Sequence, residues 1–189
     1  MKFERVAAWN AQRYEQVLNT SLQHKLLVEE FTETKTALEP VERLDGHIDQ
    51  IYVAMGGLWK LGLSHKDAIN FLTASEDYTG LLTVQFDYNA AMKLIQGIIA
   101  NVENPIDSNH MAMIMADIIN LNYIALEKLG YTWDECYQAA EIVCDSNDSK
   151  VVQKVAANVK ANDGNKGSSF IDPKPRLQVI VDAMQARRQ

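Results

Sequence analysis

PVERLDGHIDQIYVAMGGLWKLG, residues 40–62, repeats its apolar side chains with the period of an α-helix. Leu44, Ile48, Ile51, Met55 and Leu58 return every three or four residues and form one stripe of an amphipathic helix. Pro40 suits the first turn, where its missing N–H is not needed. Gly62, after Lys60-Leu61, suits a helix C-terminus, and Gly130 after Lys128-Leu129 marks a second such end. On either side the helical spacing continues, and strand-like alternation is scarce. Helices are expected near 3–19, 21–38, 41–62, 65–75, 87–102, 109–129 and 133–144, with breaks at 76–80, 103–108 and 145–149. Residues 161–169 (ANDGNKGSS) are polar, and 172–175 (DPKP) carry two prolines. A long loop is expected there, then a short terminal helix from about Leu177. The fold expected is an all-α bundle over 1–160, with a flexible C-terminal arm over 161–189.

An internal repeat is also visible. Asp49-x-Ile51, Leu58 and Lys60-Leu61-Gly62 align with Asp117-x-Ile119, Leu126 and Lys128-Leu129-Gly130, a constant shift of 68. Ser64 then falls on Thr132, Asp67 on Glu135, and Lys25-Leu26 on Lys93-Leu94. Two amphipathic helices of similar composition would give part of this pattern. A duplicated helix pair, the second copy over about 87–130, would give all of it.

Composition narrows the function. The 189 residues carry a net charge of −7, which argues against a general nucleic-acid binder, because phosphate contacts need clustered Lys and Arg. An acidic chain can still bind a nucleotide through a metal that inverts the local sign. Cys136 and Cys144 have no CxxC partner and read as buried thiols in a reducing compartment. No apolar leader opens the chain, and the most apolar run, 111–126, is interrupted by Asp117, Asn120 and Asn122, so no membrane span is expected.

Two acidic clusters stand out. Glu29-Glu30-x-x-Glu33 lies on the second helix and Glu42-x-x-Asp45-x-x-x-Asp49 on the third. Residues three and four apart share a helix face, so Glu30 and Glu33 project together, as do Glu42, Asp45 and Asp49, and a short hairpin would let the clusters face one another. Acids at the edge of an apolar stripe are costly unless paired or bound to a cation. A hard cation such as Mg²⁺ takes oxygen ligands of this kind. The alternative is a solvated acidic face, with Glu42 and Asp45 favoured by the helix N-terminus. At the shift of 68, Glu29, Glu30, Glu33, Glu42 and Asp45 fall on Gly97, Ile98, Asn101, His110 and Met113; only Asp49 keeps its acid, as Asp117.

The order ExxE then ExxD on paired helices resembles the all-α nucleotide pyrophosphohydrolase superfamily, which includes MazG, phosphoribosyl-ATP pyrophosphohydrolase and the dimeric dUTPases. Its small MazG-like members, common in phages, are most similar. The resemblance rests on 27–33 (LVEEFTE), 44–53 (LDGHIDQIYV), 144–150 (CDSNDSK), Lys166-Gly167, Phe170, Pro173, Pro175 and Arg176-Leu177-Gln178. It covers about 21–62 and 132–180; the stretch between departs from it and holds the degenerate helix pair. That departure puts the usual oligomeric arrangement in doubt, since one chain could supply both halves of the bundle, although a homo-oligomer stays open.

The resemblance implies magnesium-dependent hydrolysis of a (deoxy)nucleoside triphosphate to monophosphate and pyrophosphate, with Mn²⁺ as a substitute metal. It implies Glu30, Glu33, Glu42 and Asp45 as metal ligands. Glu29, Glu30, Glu33 and Asp49 would be the catalytic carboxylates, with Glu29 or Asp49 orienting the attacking water or binding a further metal. Asn147 and Lys150 match the segment that contacts sugar and phosphates, and Lys166 and Arg176 are further phosphate contacts. A cytoplasmic setting is expected, that of the host where the source is a phage. Rival readings are a dUTPase-like or phosphoribosyl-ATP activity on the same site, and a helical nucleotide-binding or regulatory protein without turnover.

Other residues admit two readings. Trp9 or Tyr14 would stack on a base whose edge Asn10 reads, or these side chains are core anchors, the commoner case. His47 is expected as a surface imidazole, and Trp59 and Trp133 are expected to pack. Lys154, Lys160 and Lys166 form either a basic arm closing over phosphates or a solvated tail.

Overall fold

The computed structural model describes residues 2–83, 86–161 and 166–189, with Tyr78 and 81–83 as backbone only. Residues 162–165, part of the expected loop, lie outside the described residues. The described residues form eight helices and no strand: α1 (Phe3–Ala11), α2 (Thr20–Thr36), α3 (Pro40–Lys60), α4 (His65–Thr83), α5 (Tyr88–Ile99), α6 (Ser108–Lys128), α7 (Trp133–Asp148) and α8 (Lys174–Ala186). The protein is an all-α bundle.

Local chemistry sets the helix ends. Asn19, Asp87 and Asp107 accept from the backbone N–H groups of Leu22, Ala90 and His110, satisfying donors that a helix start leaves open. Pro40 occupies the first turn of α3. Gly62 and Gly130 take positive φ, +80° and +97°, and close the ends of α3 and α6.

The shift of 68 reappears in the backbone. Thr20 and Tyr88, Pro40 and Ser108, and His65 and Trp133 each begin a helix, and each pair is 68 residues apart. Thr132 and Glu135 form a reciprocal capping box at the start of α7. Ser64 and Asp67 make the same exchange before α4: the Asp67 N–H donates to Ser64 Oγ at 3.2 Å, and Ser64 donates to the Asp67 carboxylate. The packing follows the same symmetry. α2 packs on α3 and α5 on α6, α3 and α6 cross at the centre, α4 lies on α6 and α7 on α3. One core runs through all of this, built on Leu44, Ile48, Ile51 and Leu58 from α3 and Met115, Ile118, Ile119 and Leu126 from α6.

Several expectations are corrected. α1 stops at Ala11 rather than 19, because the chain turns there to bury Arg13. α4 has no break at 76–80: Ser75 and Thr79 are buried on its inner face and hold the helix against α6. α7 runs on through 145–148, where Arg5 pairs with Asp145 and Asp148 at 2.7 Å each. α8 begins at Lys174 and docks, burying Leu177, Ile180, Val181 and Met184 against α3 and α7. His47 is fully buried, not on the surface: its Nδ1 lies 2.7 Å from Asn122 Oδ1 and its Nε2 3.1 Å from the Tyr88 hydroxyl. Trp133 is 59% exposed, covered only in part by Tyr123. Both cysteines are buried free thiols. Among the described residues, no helix is long and apolar enough to cross a membrane.

Candidate functional site

A cleft of about 550 Å³ opens where α2 and α3 meet the end of α7, the turn after α1 and the stretches 150–161 and 166–174. α3 gives it one face: Asp45, Asp49, Val53, Gly56 and Lys60, spaced so that all five point the same way. α2, running antiparallel, adds Gln23, Leu26, Glu30 and Glu33. The acids of both helices therefore share one end of the cleft.

Close approach of the two helices makes this possible. Gly46 faces Thr34, and a β-carbon on Gly46 would collide with Thr34 Oγ1 and lie 3.2 Å from Thr34 Cα. Thr34 is buried, donates to Glu30 O at 2.7 Å and accepts from Gln50 Nε2 at 2.8 Å. The helix pair is thus pinned one turn from the carboxylates.

The acids feel one another and the loss of water. Burial, then repulsion from Glu33 and Asp172, pushes Asp45 up to about 6 against the pull of Lys174 and Lys150. Burial first, then Asp45 and Glu30, holds the Asp49 carboxyl well above its ordinary range. Asp45 Oδ1 is buried with no hydrogen-bond partner among the described residues. An orphaned carboxylate oxygen among other acids fits a hard cation. Among the described residues, however, no three acidic, histidine or cysteine side chains already stand at ligating positions. Glu42 is the member set apart. It lines an adjoining hollow of about 310 Å³ with Glu33, Asp45 and Asp49, and Lys174 Nζ lies 3.1 Å from its carboxylate.

The remaining expected residues divide. Asn147 and Lys150 line the cleft, and Lys150 Nζ donates to Asn147 Oδ1 at 2.9 Å. Lys166 also lines it, with its ammonium 4.9 Å from the Phe170 ring centroid. Arg176 does not reach the cleft; it pairs with Asp145 at 2.7 Å. Glu29 turns to Lys160 at 3.1 Å and is not among the lining residues.

Trp9 and Arg13 hold the SNDSK segment in place. Trp9 Nε1 donates to Asn147 O at 2.8 Å, and Arg13 Nη2 donates to Lys150 O at 2.9 Å. The Arg13 guanidinium lies 4.1 Å over the Trp9 ring, which occupies a face that a base would need. The basic arm is divided too: Lys160 and Lys166 line the cleft, and Lys154 does not. Sequence reasoning passed over Gln23, Lys60 and Lys174. Lys60 carried a signal, since it lies on the Asp45–Asp49 face at helical spacing.

No protein-family model, curated protein or solved structure matches the chain.

Proposed function

We propose that the chain hydrolyses a nucleoside triphosphate to the monophosphate and pyrophosphate with the help of a divalent cation. One observation carries the reading: Glu30 and Glu33 of α2 and Asp45 and Asp49 of α3 line one end of a cleft that Lys150, Lys166 and Lys174 also line. Burial and neighbouring like charge at Asp45 and Asp49 cost stability unless a cation joins them. Ammonium groups beside them suit the phosphates such a cation would carry.

Glu30, Glu33 and Asp45 would hold the Mg²⁺, joined by Glu42 once Lys174 leaves it. When bound, the metal neutralises the triphosphate and polarises the phosphorus under attack. Asp49, whose proton affinity is raised by burial, orients the water and takes its proton. Glu29 is committed to Lys160 and has no part in this step. The water oxygen bonds to the α-phosphorus, the bond from that phosphorus to the α–β bridging oxygen breaks, and pyrophosphate leaves with the electron pair. Lys150 and Lys166 steady the phosphates, and Asn147 fixes Lys150 through their hydrogen bond.

The test is pyrophosphate release from a panel of ribo- and deoxynucleoside triphosphates, with Mg²⁺ and with EDTA. Metal-dependent release from any of them supports the reading; none from the folded protein with Mg²⁺ removes it. The Lys174–Glu42 pair favours a second reading, nucleotide binding without turnover, because a lysine already fills part of the acid cluster. Magnesium-dependent binding with no product would select it.

A further inference from the structure

The cleft extends away from the acids along α3, which rises about 16 Å between Asp49 and Lys60. That far end is chemically unlike the near one. Lys60 is only 8% exposed, and its ammonium lies 4.3 Å from the Tyr14 ring centroid. Among the described residues it has no carboxylate and no hydrogen-bond acceptor. Burial pushes it down to about 8. Lysines are almost never buried without a partner, so among the described residues this ammonium lacks an oxygen.

Two amides stand in the same part of the cleft. Gln23, 1% exposed, donates through Nε2 to Val53 O at 2.8 Å, so its Oε1 is the acceptor end, and that atom has no partner among the described residues. Asn10, 3% exposed, is fixed in the same way by donation to Val6 O, leaving its oxygen as the remaining group. Gly56 and Gly57 admit both. A β-carbon on Gly56 would lie 3.1 Å from Asn10 Nδ2, and one on Gly57 2.9 Å from Gln23 Nε2. The far end thus offers one buried donor cation and carboxamide acceptors, with Tyr52 also lining the cleft. The cations suited to phosphate (Lys150, Lys166 and Lys174) line the cleft with the acids.

A planar ring bearing both a carbonyl oxygen and an N–H group satisfies this set: the oxygen takes the Lys60 donor and the N–H meets Gln23. Uracil, thymine and guanine carry that edge, and adenine has no carbonyl. We propose that this end of the cleft seats a nucleobase with a ring carbonyl, that Lys60 donates to that oxygen, and that adenine is the base the site rejects. The orientation rests on the proposed triphosphate reading, with phosphates toward the acids.

The experiment is calorimetric titration of the whole chain, in EDTA, with uridine, guanosine and adenosine 5′-monophosphates. The uridine and guanosine compounds are expected to bind about tenfold or more tighter than the adenosine compound, the scale of one hydrogen bond from a charged donor. Lys60→Met is expected to bring them down to the adenosine level and leave the adenosine compound unchanged. Lys60→Gln, which keeps a donor, is expected to keep the order. Equal binding of all three by the wild-type chain, no binding of any, or an unchanged ratio in Lys60→Met would overturn the proposal. Pyrophosphate release is read separately. A base preference without turnover leaves the base seat standing and removes the hydrolase; turnover without a preference does the reverse.

Discussion

The helix pair α2–α3 and its counterpart α5–α6 share a scaffold but not a chemistry. At the shift of 68, Gly46 falls on Ile114 and Thr34 on Val102, both buried apolar residues. The glycine lets the first pair close up at the acid end, and the second carries a buried isoleucine at that position instead. Glu30, Glu33 and Asp45 face the cleft where Ile98, Asn101 and Met113 stand in the other pair. Even the shared acid is treated differently. Asp117 accepts from Ser75 Oγ at 2.6 Å, whereas Asp49 is raised first by burial and then by the acids Asp45 and Glu30. A chain carrying two such pairs can spend one on packing and leave the other strained for function. Strain of this kind is costly without a compensating ligand.

The strongest break of the comparison is to make the first pair resemble the second at one acid. Glu33→Gln is expected to lower metal-dependent pyrophosphate release by about two to three orders of magnitude, the scale seen on removing one electrostatic contributor at a reacting centre. Circular dichroism should show unchanged helix content, because Glu33 is exposed to the cleft and holds no core contact. Full activity in this variant would end the metal-site reading.

Next comes the close approach itself. Gly46→Ala is expected to cost about 1–3 kcal/mol in urea unfolding, since the new methyl must push against the Thr34 backbone as well as its hydroxyl. Mg²⁺ affinity should fall with it, because spreading α2 from α3 separates the acids. A variant as stable as wild type would show that the two helices have room to spare and that Gly46 does not set their distance.

The features legible in the sequence were those written as period and spacing. The stripe through Leu44 and Leu58 marked α3 because its partners cover it along its whole length. The acids were legible because Glu30 with Glu33, and Asp45 with Asp49, recur at helical spacing, and the shift of 68 because Lys-Leu-Gly closes both α3 and α6. What stayed hidden depended on partners far away in the chain. His47 reads as polar, yet Asn122 and Tyr88 satisfy both its nitrogens inside the core. Tyr14, Val17 and Leu18 keep a helical spacing that would carry α1 onward, but burial of Arg13 against Trp9 ends it. Lys60 reads as an ordinary C-terminal lysine suited to the helix dipole, and only the packed cleft reveals that it is desolvated.

A smaller effect separates the acids by their proton affinity. Asp45 is held at about 6, above its ordinary value of 3.8, so the folded state binds that proton more tightly than the unfolded chain. Stability from this group is therefore greatest at low pH, declines as pH rises through that interval and stays lower above it. Asp45→Asn should be more stable than the metal-free wild type above about pH 6, by a few degrees in Tm, and nearly equal to it at pH 4. Adding Mg²⁺ at pH 7.5 should raise the wild-type Tm and not that of the variant. A difference in Tm that does not vary with pH would place Asp45 in ordinary solvent.

The smallest expected effect is the one that would most sharply divide the two pairs. Asp117 is the single acid retained at the shift of 68, and Ser75 of α4 has already satisfied it. Asp117→Asn should keep pyrophosphate release within about twofold of wild type and cost about 0.5–1.5 kcal/mol of stability, the contribution of one partly buried hydrogen bond. Asp49→Asn, the same change in the first pair, should lose turnover by about a hundredfold, because its carboxylate rather than its packing is at stake. The two variants remove one charge each from equivalent places, so the ratio of their activities measures how far the pairs have diverged. A tenfold or larger loss in Asp117→Asn would make the second pair part of the reacting site, and the packing role argued from its apolar replacements would fall.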